Sequence, residues 1–188
     1  MRIALPLVAL AAIATALPAF ADEEAPQLYE QVYLTKDQAL KIALPAGDPV
    51  TTRTYAPRAE ERKRIERRLG RKIEDDSFTV YQSASGGKPS GYAMILDEQG
   101  KYYPMTFVVG LKPDGSVRDV AIMVYRERRG DAVKRRRFLN QFQGKTSDDA
   151  LMVNRDIVHL TGATVSSWSV AAGVKKAVVV IDELKASR

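Results

Sequence analysis

Hydrophobic residues along this chain fall into three regimes. Over 3–17 they form a nearly unbroken run, over 78–125 they come in short runs separated by turn residues, and over 166–184 they recur at spacings of three and four. The middle regime predicts strands. Phe78-Thr79-Val80-Tyr81 reads as one, 92–97 as a second, 102–111 as a third, and 117–125 as a fourth in which Val120, Ile122 and Val124 alternate with their neighbours. Ser85-Gly86-Gly87-Lys88-Pro89 and Lys112-Pro113-Asp114-Gly115 are turn sequences between them. Four strands joined by tight turns predict an antiparallel meander. In the last regime Val170, Val174, Ala177, Val178, Ile181 and Leu184 form one helical stripe, which predicts a long helix over 166–184.

Shorter signals flank these. Thr35-Lys36-Asp37-Gln38 has capping-box spacing and precedes Leu40, Ile42, Ala43 and Leu44, with Pro45 as a stop, so a short helix is expected there. The Thr- and Val-rich segment 50–55 suits a short strand. From 58 to 73 Glu, Arg and Lys dominate, with Ile65 and Leu69 four apart, which predicts a helix with a thin apolar stripe. Segment 131–143 reads as a further helix carrying Val133, Phe138 and Phe142, with Gly144 as its C-terminal cap. The sum is a single α+β domain: an antiparallel sheet covered by helices on one face, with a long C-terminal helix. Its expected parts are a signal peptide over 1–21, an N-terminal helical segment over 22–77 and a core domain over 78–188.

The first regime changes the expected compartment. Arg2 gives a positive start, the apolar run is shorter than the about 20 residues a membrane span needs, and Ala19-Phe20-Ala21 is a small-residue cleavage site. Cleavage after Ala21 would deliver the protein to the periplasm. It would remove one Arg and no acid, taking the net charge from +6 to +5. Composition then excludes much chemistry. With no Cys there is no disulfide, thiol catalysis, iron–sulfur cluster or c-type haem, and with His159 as the single His a zinc or copper site on imidazoles is disfavoured. Redox chemistry would have to come from a bound organic cofactor.

The most informative string is Leu160-Thr161-Gly162-Ala163-Thr164-Val165-Ser166-Ser167, small residues and hydroxyls just before the long helix. Read plainly it is a helix start, where Ser and Thr serve as caps. It also suits a phosphate, because a helix N-terminus presents unpaired N–H groups and the positive end of the macrodipole.

That string resembles the FMN-binding domain of bacterial respiratory complexes, a family that includes the exported G and C subunits of the Rnf and sodium-pumping quinone reductase complexes and stand-alone periplasmic flavoproteins. The resemblance extends from 91 to 184 through Lys101-Tyr102-Tyr103-Pro104-Met105-Thr106-Phe107-Val108-Val109-Gly110, Tyr125-Arg126-Glu127-Arg128-Arg129-Gly130 and Phe138-Leu139-Asn140-Gln141-Phe142-Gln143-Gly144-Lys145. It implies FMN joined by a phosphodiester to the last residue of Thr161-Gly162-Ala163-Thr164, so Thr164 is the implied acceptor, and it implies a flavin transferase as the maturation partner. At one place the pattern departs: Val158 stands three positions before Thr161, where the resemblance leads one to expect Asp, and Asp156 lies two residues earlier.

The expected cofactor-binding set is therefore Thr161, Gly162, Ala163, Thr164, Ser166 and Ser167 around the phosphate, with Tyr125, Glu127 and Trp168 as candidates beside the flavin ring; no catalytic residue and no metal site are expected. The function implied is electron transfer between a membrane component and a periplasmic acceptor, by a carrier rather than a stand-alone catalyst. A flavin-free binding or scaffold module of the same fold is the alternative. An enzyme with its own small-molecule substrate ranks last, since no nicotinamide fingerprint is present. The basic clusters Arg62-Lys63-Arg64, Arg67-Arg68 and Lys134-Arg135-Arg136-Arg137 are solvated helix faces or, for the last, a peripheral contact for anionic lipid or an acidic redox partner. Nucleic acid is disfavoured for an exported chain.

Overall fold

The computed structural model describes residues 27–187, so the expected signal segment 1–21 lies outside the described residues. Among the described residues six strands form one antiparallel sheet: β1 (Gln31–Val32), β2 (Val50–Tyr55), β3 (Phe78–Ser85), β4 (Lys88–Gln99), β5 (Pro104–Leu111) and β6 (Val117–Tyr125). Their order is β1-β6-β5-β4-β3-β2, so the expected meander β3 to β6 is the centre and the two strands from before residue 77 flank it. The register β4 to β5 runs from Tyr92 opposite Leu111 to Gln99 opposite Pro104, which turns the chain at 100–103.

The helices are α1 (Lys36–Ala43), α2 (Ala59–Leu69), α3 (Arg136–Leu139) and α4 (Thr164–Ala186). The stripe on α4 is buried as its spacing demands: Val170, Val174, Ala177, Ile181 and Leu184 all stand at 1 % exposure or less, packed with Phe107, Val109, Val120 and Ile122 of the sheet. A buried aliphatic side chain contributes about 1.5–3 kcal/mol, so this stripe is the largest apolar attachment of any helix here. By length and hydropathy α4 could span a bilayer, but 72% of its most apolar window is inside the domain, which makes it a core helix. α2 lies against the far part of α4, where Arg64 pairs with Glu183 and Arg68 with Asp182 at 2.8 Å.

Two expectations are corrected. Helices cover both faces of the sheet, because α1 packs Ala39, Ala43 and Leu44 on Tyr81, Ala93, Val108, Ala121 and Met123 of the opposite face. The approach is so close that a Cβ on Gly110 would overlap the Ala43 carbonyl oxygen and lie 2.7 Å from its Cα. Segment 131–143 is also not one helix. It breaks into the 3-10 turn Asp131–Lys134, α3, and the 3-10 turn Asn140–Phe142, since Arg135 adopts extended backbone (φ −66, ψ 133) between the first two. Its apolar residues do the expected work: Val133, Phe138 and Phe142 are fully buried, and the two rings meet edge to face at 5.5 Å.

Candidate functional site

Three elements converge at the N-terminus of α4. They are its first turn with the preceding 162–163, the segment 126–130 that leaves β6, and the turn 100–103 between β4 and β5. Between them opens a cleft of about 580 Å³, within the range of about 300–1,000 Å³ typical of small-molecule sites.

The helix begins without the side-chain cap that a Ser/Thr-rich start would suggest. Ala163 is the N-cap residue and makes no side-chain cap bond. Ser167 works from inside instead: its hydroxyl donates to the Ala163 carbonyl at 2.8 Å and accepts from Leu160 N–H at 3.2 Å. The first N–H groups of a helix have no intrahelical acceptor and add to the positive end of its dipole. Thr164 occupies the first helical position, is exposed and lines the cleft. Gly162, Ala163, Val165 and Ser166 line it too, whereas Thr161, Ser167 and Trp168 do not; Trp168 is 44% exposed outside it.

Tyr125 lies beneath the cleft, 2% exposed. Burial raises its phenol above the ordinary tyrosine pKa, so it stays protonated and donates to the Arg129 carbonyl at 2.7 Å while its oxygen lies 2.8 Å from Ser166 Oγ. These bonds tie the segment 126–130 to the first turn of α4. Gly130 passes through the junction at φ 98, where a Cβ would overlap Tyr125 Oη and lie 2.6 Å from Ser166 Oγ. Positive-φ strain and overpacking each cost about 1–3 kcal/mol. Gly130→Ala is therefore expected to lose about 2–5 kcal/mol in chemical denaturation; a loss below about 0.5 kcal/mol would show the junction to be slack.

Glu127 braces the other wall. Its Oε1 accepts from Tyr102 N–H at 2.8 Å and Tyr103 N–H at 3.1 Å, holding the turn whose Tyr102 and Tyr103 line the cleft. Among the described residues the lining is otherwise cationic, with Lys101, Arg126, Arg128 and Arg129, and Glu127 is its one acid. Singling out Tyr125 and Glu127 thus found two braces of the cleft and missed Tyr102, Tyr103 and the arginines beside them. The signal was present in two short strings, an aromatic pair after Gly100 and a run of Arg around Glu127.

Val158 is 72% exposed. Asp156 is committed to its own loop, accepting from Met152 N–H at 2.8 Å, Leu151 N–H at 3.0 Å and Lys145 Nζ at 3.0 Å. Burial pushes this carboxyl up, but the two backbone donors and Lys145 outweigh it and hold it below the usual carboxylate value. A depressed folded pKa means stability that is present above the unfolded value of about 3.9 and lost as pH falls through the folded value. The stability advantage of the wild type over Asp156→Asn should accordingly be present at neutral pH and vanish in acid; an advantage constant with pH would refute this role. His159 bonds Asn154 at 3.1 Å and does not line the cleft.

A cationic cleft over an uncapped helix N-terminus, with Tyr102 and Tyr103 in its lining, has the chemistry to suit an anionic, ring-bearing ligand on an α+β scaffold. Residues 100–179, which include all three walls of the cleft, match the FMN-binding domain family. That match covers 80 of the 188 residues, and the sequence of an Rnf-type G subunit is similar over a comparable stretch. The G subunit of the proton-translocating ferredoxin:NAD(+) oxidoreductase complex of Clostridium ljungdahlii is 30% identical over 105 residues, which are 52% of this chain and 57% of that relative. The chain thus spans little more than half the length of the curated relative it matches. Among solved structures, that of Shewanella oneidensis NqrC aligns with a TM-score of 0.44 and 17% identity, over 74% of this chain and 67% of that one.

Proposed function

We propose that this protein is an exported flavoprotein that carries FMN on Thr164 through a phosphodiester and relays electrons between a membrane component and a periplasmic acceptor. The observation that carries the reading is the Thr164 hydroxyl, exposed at the first position of an uncapped 23-residue helix and opening on a cationic cleft. The residues present fit the group. A phosphate on Thr164 would lie beside the first-turn N–H groups, with Arg128 and Arg129 in the same cleft to balance its charge. Tyr102 and Tyr103 offer the ring surfaces, and Ser166, fixed by Tyr125, sets the turn that presents the hydroxyl. Bound there, FMN would supply reversible uptake and release of electrons, and the protein would fix its position and surroundings. Thr161, Gly162 and Ala163 complete the attachment string for a flavin transferase. Covalent attachment suits a compartment where a lost cofactor is not easily replaced.

The test is to co-express the full chain with a flavin transferase and its export machinery, then measure intact mass and visible spectrum. The expected product starts at Asp22, is yellow and is heavier by one FMN less water, with the added mass on the peptide that contains Thr164. A colourless product of unmodified mass would overturn the reading.

A further inference from the structure

From 126 to 137 the sequence Arg-Glu-Arg-Arg-Gly-Asp-Ala-Val-Lys-Arg-Arg-Arg holds seven cations and two acids. The structure engages both acids. Glu127 accepts the Tyr102 and Tyr103 backbone N–H groups, and Asp131 pairs with Lys134 at 2.6 Å. Arg126 pairs with Glu30 at 3.0 Å and Arg136 with Asp119 at 2.8 Å. Arg128, Arg129 and Arg137 are left exposed with no carboxylate partner among the described residues, and Arg135 is exposed and only shares the field of Asp131 with Lys134. Two of these, Arg128 and Arg129, are also lining residues of the cleft. Apolar surface adjoins them. Tyr29 lies under the Arg128 guanidinium, 5.9 Å from ring centroid to Cζ, and Leu28 and Tyr29 are 53% and 43% exposed.

We infer that this arginine rim, with Tyr29 and Leu28, is the docking surface for an acidic protein. The occupant follows from charge and shape. Six of the seven cations are Arg, whose flat, weakly hydrated fork pairs carboxylates bidentately and is enriched with Tyr at protein interfaces. Arg128 and Arg129 stand in the lining of a concave cleft, so a body that covers them must offer a convex, carboxylate-bearing face. Opposite charge there would also steer encounter, raising association rates by about tenfold or more at low salt. The inference rests on the proposed carrier reading for the purpose of docking, but the charge arrangement itself exists without any flavin.

The chain offers its own control. Lys63 and Arg67 are exposed on α2, beside the stretch of α4 that ends at Asp182 and Glu183. At 1.5 Å per residue those positions lie about 27 Å along the helix from Thr164. Binding of the acidic haem domain of cytochrome b5 would be measured for the wild type, for R128E/R129E and for K63E/R67E, each double variant carrying the same change in net charge. Basic cytochrome c and vesicles of phosphatidylcholine with phosphatidylglycerol complete the set, and the flavin-free and flavin-bearing protein are both used.

The expected result is salt-sensitive binding of cytochrome b5 but not cytochrome c, weakened about tenfold or more by R128E/R129E and less than about threefold by K63E/R67E. Equal losses in the two variants would reduce the effect to bulk charge and overturn the inference. Vesicle binding lost in R128E/R129E, with no binding of cytochrome b5, would overturn it in favour of a membrane contact. Docking by flavin-free protein together with failure to acquire FMN would sink the carrier reading alone and leave the docking surface standing.

Discussion

Thr164→Val is expected to give a folded, stable protein that acquires no covalent flavin. Valine keeps the shape of threonine and removes only the hydroxyl. The Thr164 side chain is exposed and makes no hydrogen bond among the described residues, and the helix takes no cap from it. Substitutions of this kind change stability by about 0.5 kcal/mol or less. A colourless product therefore could not be ascribed to unfolding, and an unchanged thermal transition would confirm the separation. Thr161→Val is the companion. Thr161 is exposed three residues earlier but lies outside the cleft lining, so its loss should leave the mass shift in place. Flavin retained in the first variant and lost in the second would move the attachment point to Thr161 and refute the assignment.

Glu98→Ala should be strongly destabilising. Glu98 is 8% exposed and accepts from Arg71 at 3.0 and 3.1 Å and from Lys176 at 2.8 Å. Lys176 is itself 7% exposed, with Asp75 at 3.4 Å as its other carboxylate. Removing one partner of a buried pair leaves an ammonium in a poorly solvated place, at a cost of about 3–5 kcal/mol. For a domain of this size that corresponds to a fall in Tm on the order of 10 °C. The double variant Glu98→Ala/Lys176→Met removes the stranded charge and should recover much of the loss. A fall of less than about 1 kcal/mol in the single variant would show that water reaches the pair.

The periodic parts of the fold were legible. The three-four stripe over 166–184 corresponds to one face of α4, and β6 and α4 both formed with ends displaced by two residues or fewer; along β6 Val120 and Ile122 share a face, but a register shift puts Val124 on the opposite one. The second helical layer was harder to read. α1 contacts the sheet through Ala39 and Ala43, which are too small to mark a stripe, and the apolar runs 107–109 and 120–125, which fit strands buried on both faces, do not say what covers the second face. Segment 131–143 misled because Val133, Phe138 and Phe142 are as buried as helical spacing suggested, while Arg135 turned the backbone between them.

At the site, the attachment string was visible because it is local. The roles of Tyr125 and Glu127 were not, because each depends on a partner far along the chain, Ser166 for the first and Tyr102 with Tyr103 for the second. A strand-end Tyr and Glu look alike as ring contacts or as braces until those partners are placed. The cap was misread for a related reason. Ser167 bonds Ala163 and Leu160 from within the first turn, an arrangement that spacing alone does not distinguish from a hydroxyl standing before it.

The helix that presents Thr164 is also the one threaded through the core. It is packed along its length, held at Ser169 by the Gln99 carbonyl at 2.5 Å and tied to α2 near its end. Its amides beyond the first turn should therefore exchange with solvent only in global unfolding, while the hydroxyl at its tip remains open to any reagent in solution. A group placed on that hydroxyl would be mounted on the slowest-opening part of the molecule. Its distance to a docked partner would then vary only through its own linking bonds, and an enzyme adding it could act on the finished fold without waiting for any segment to open.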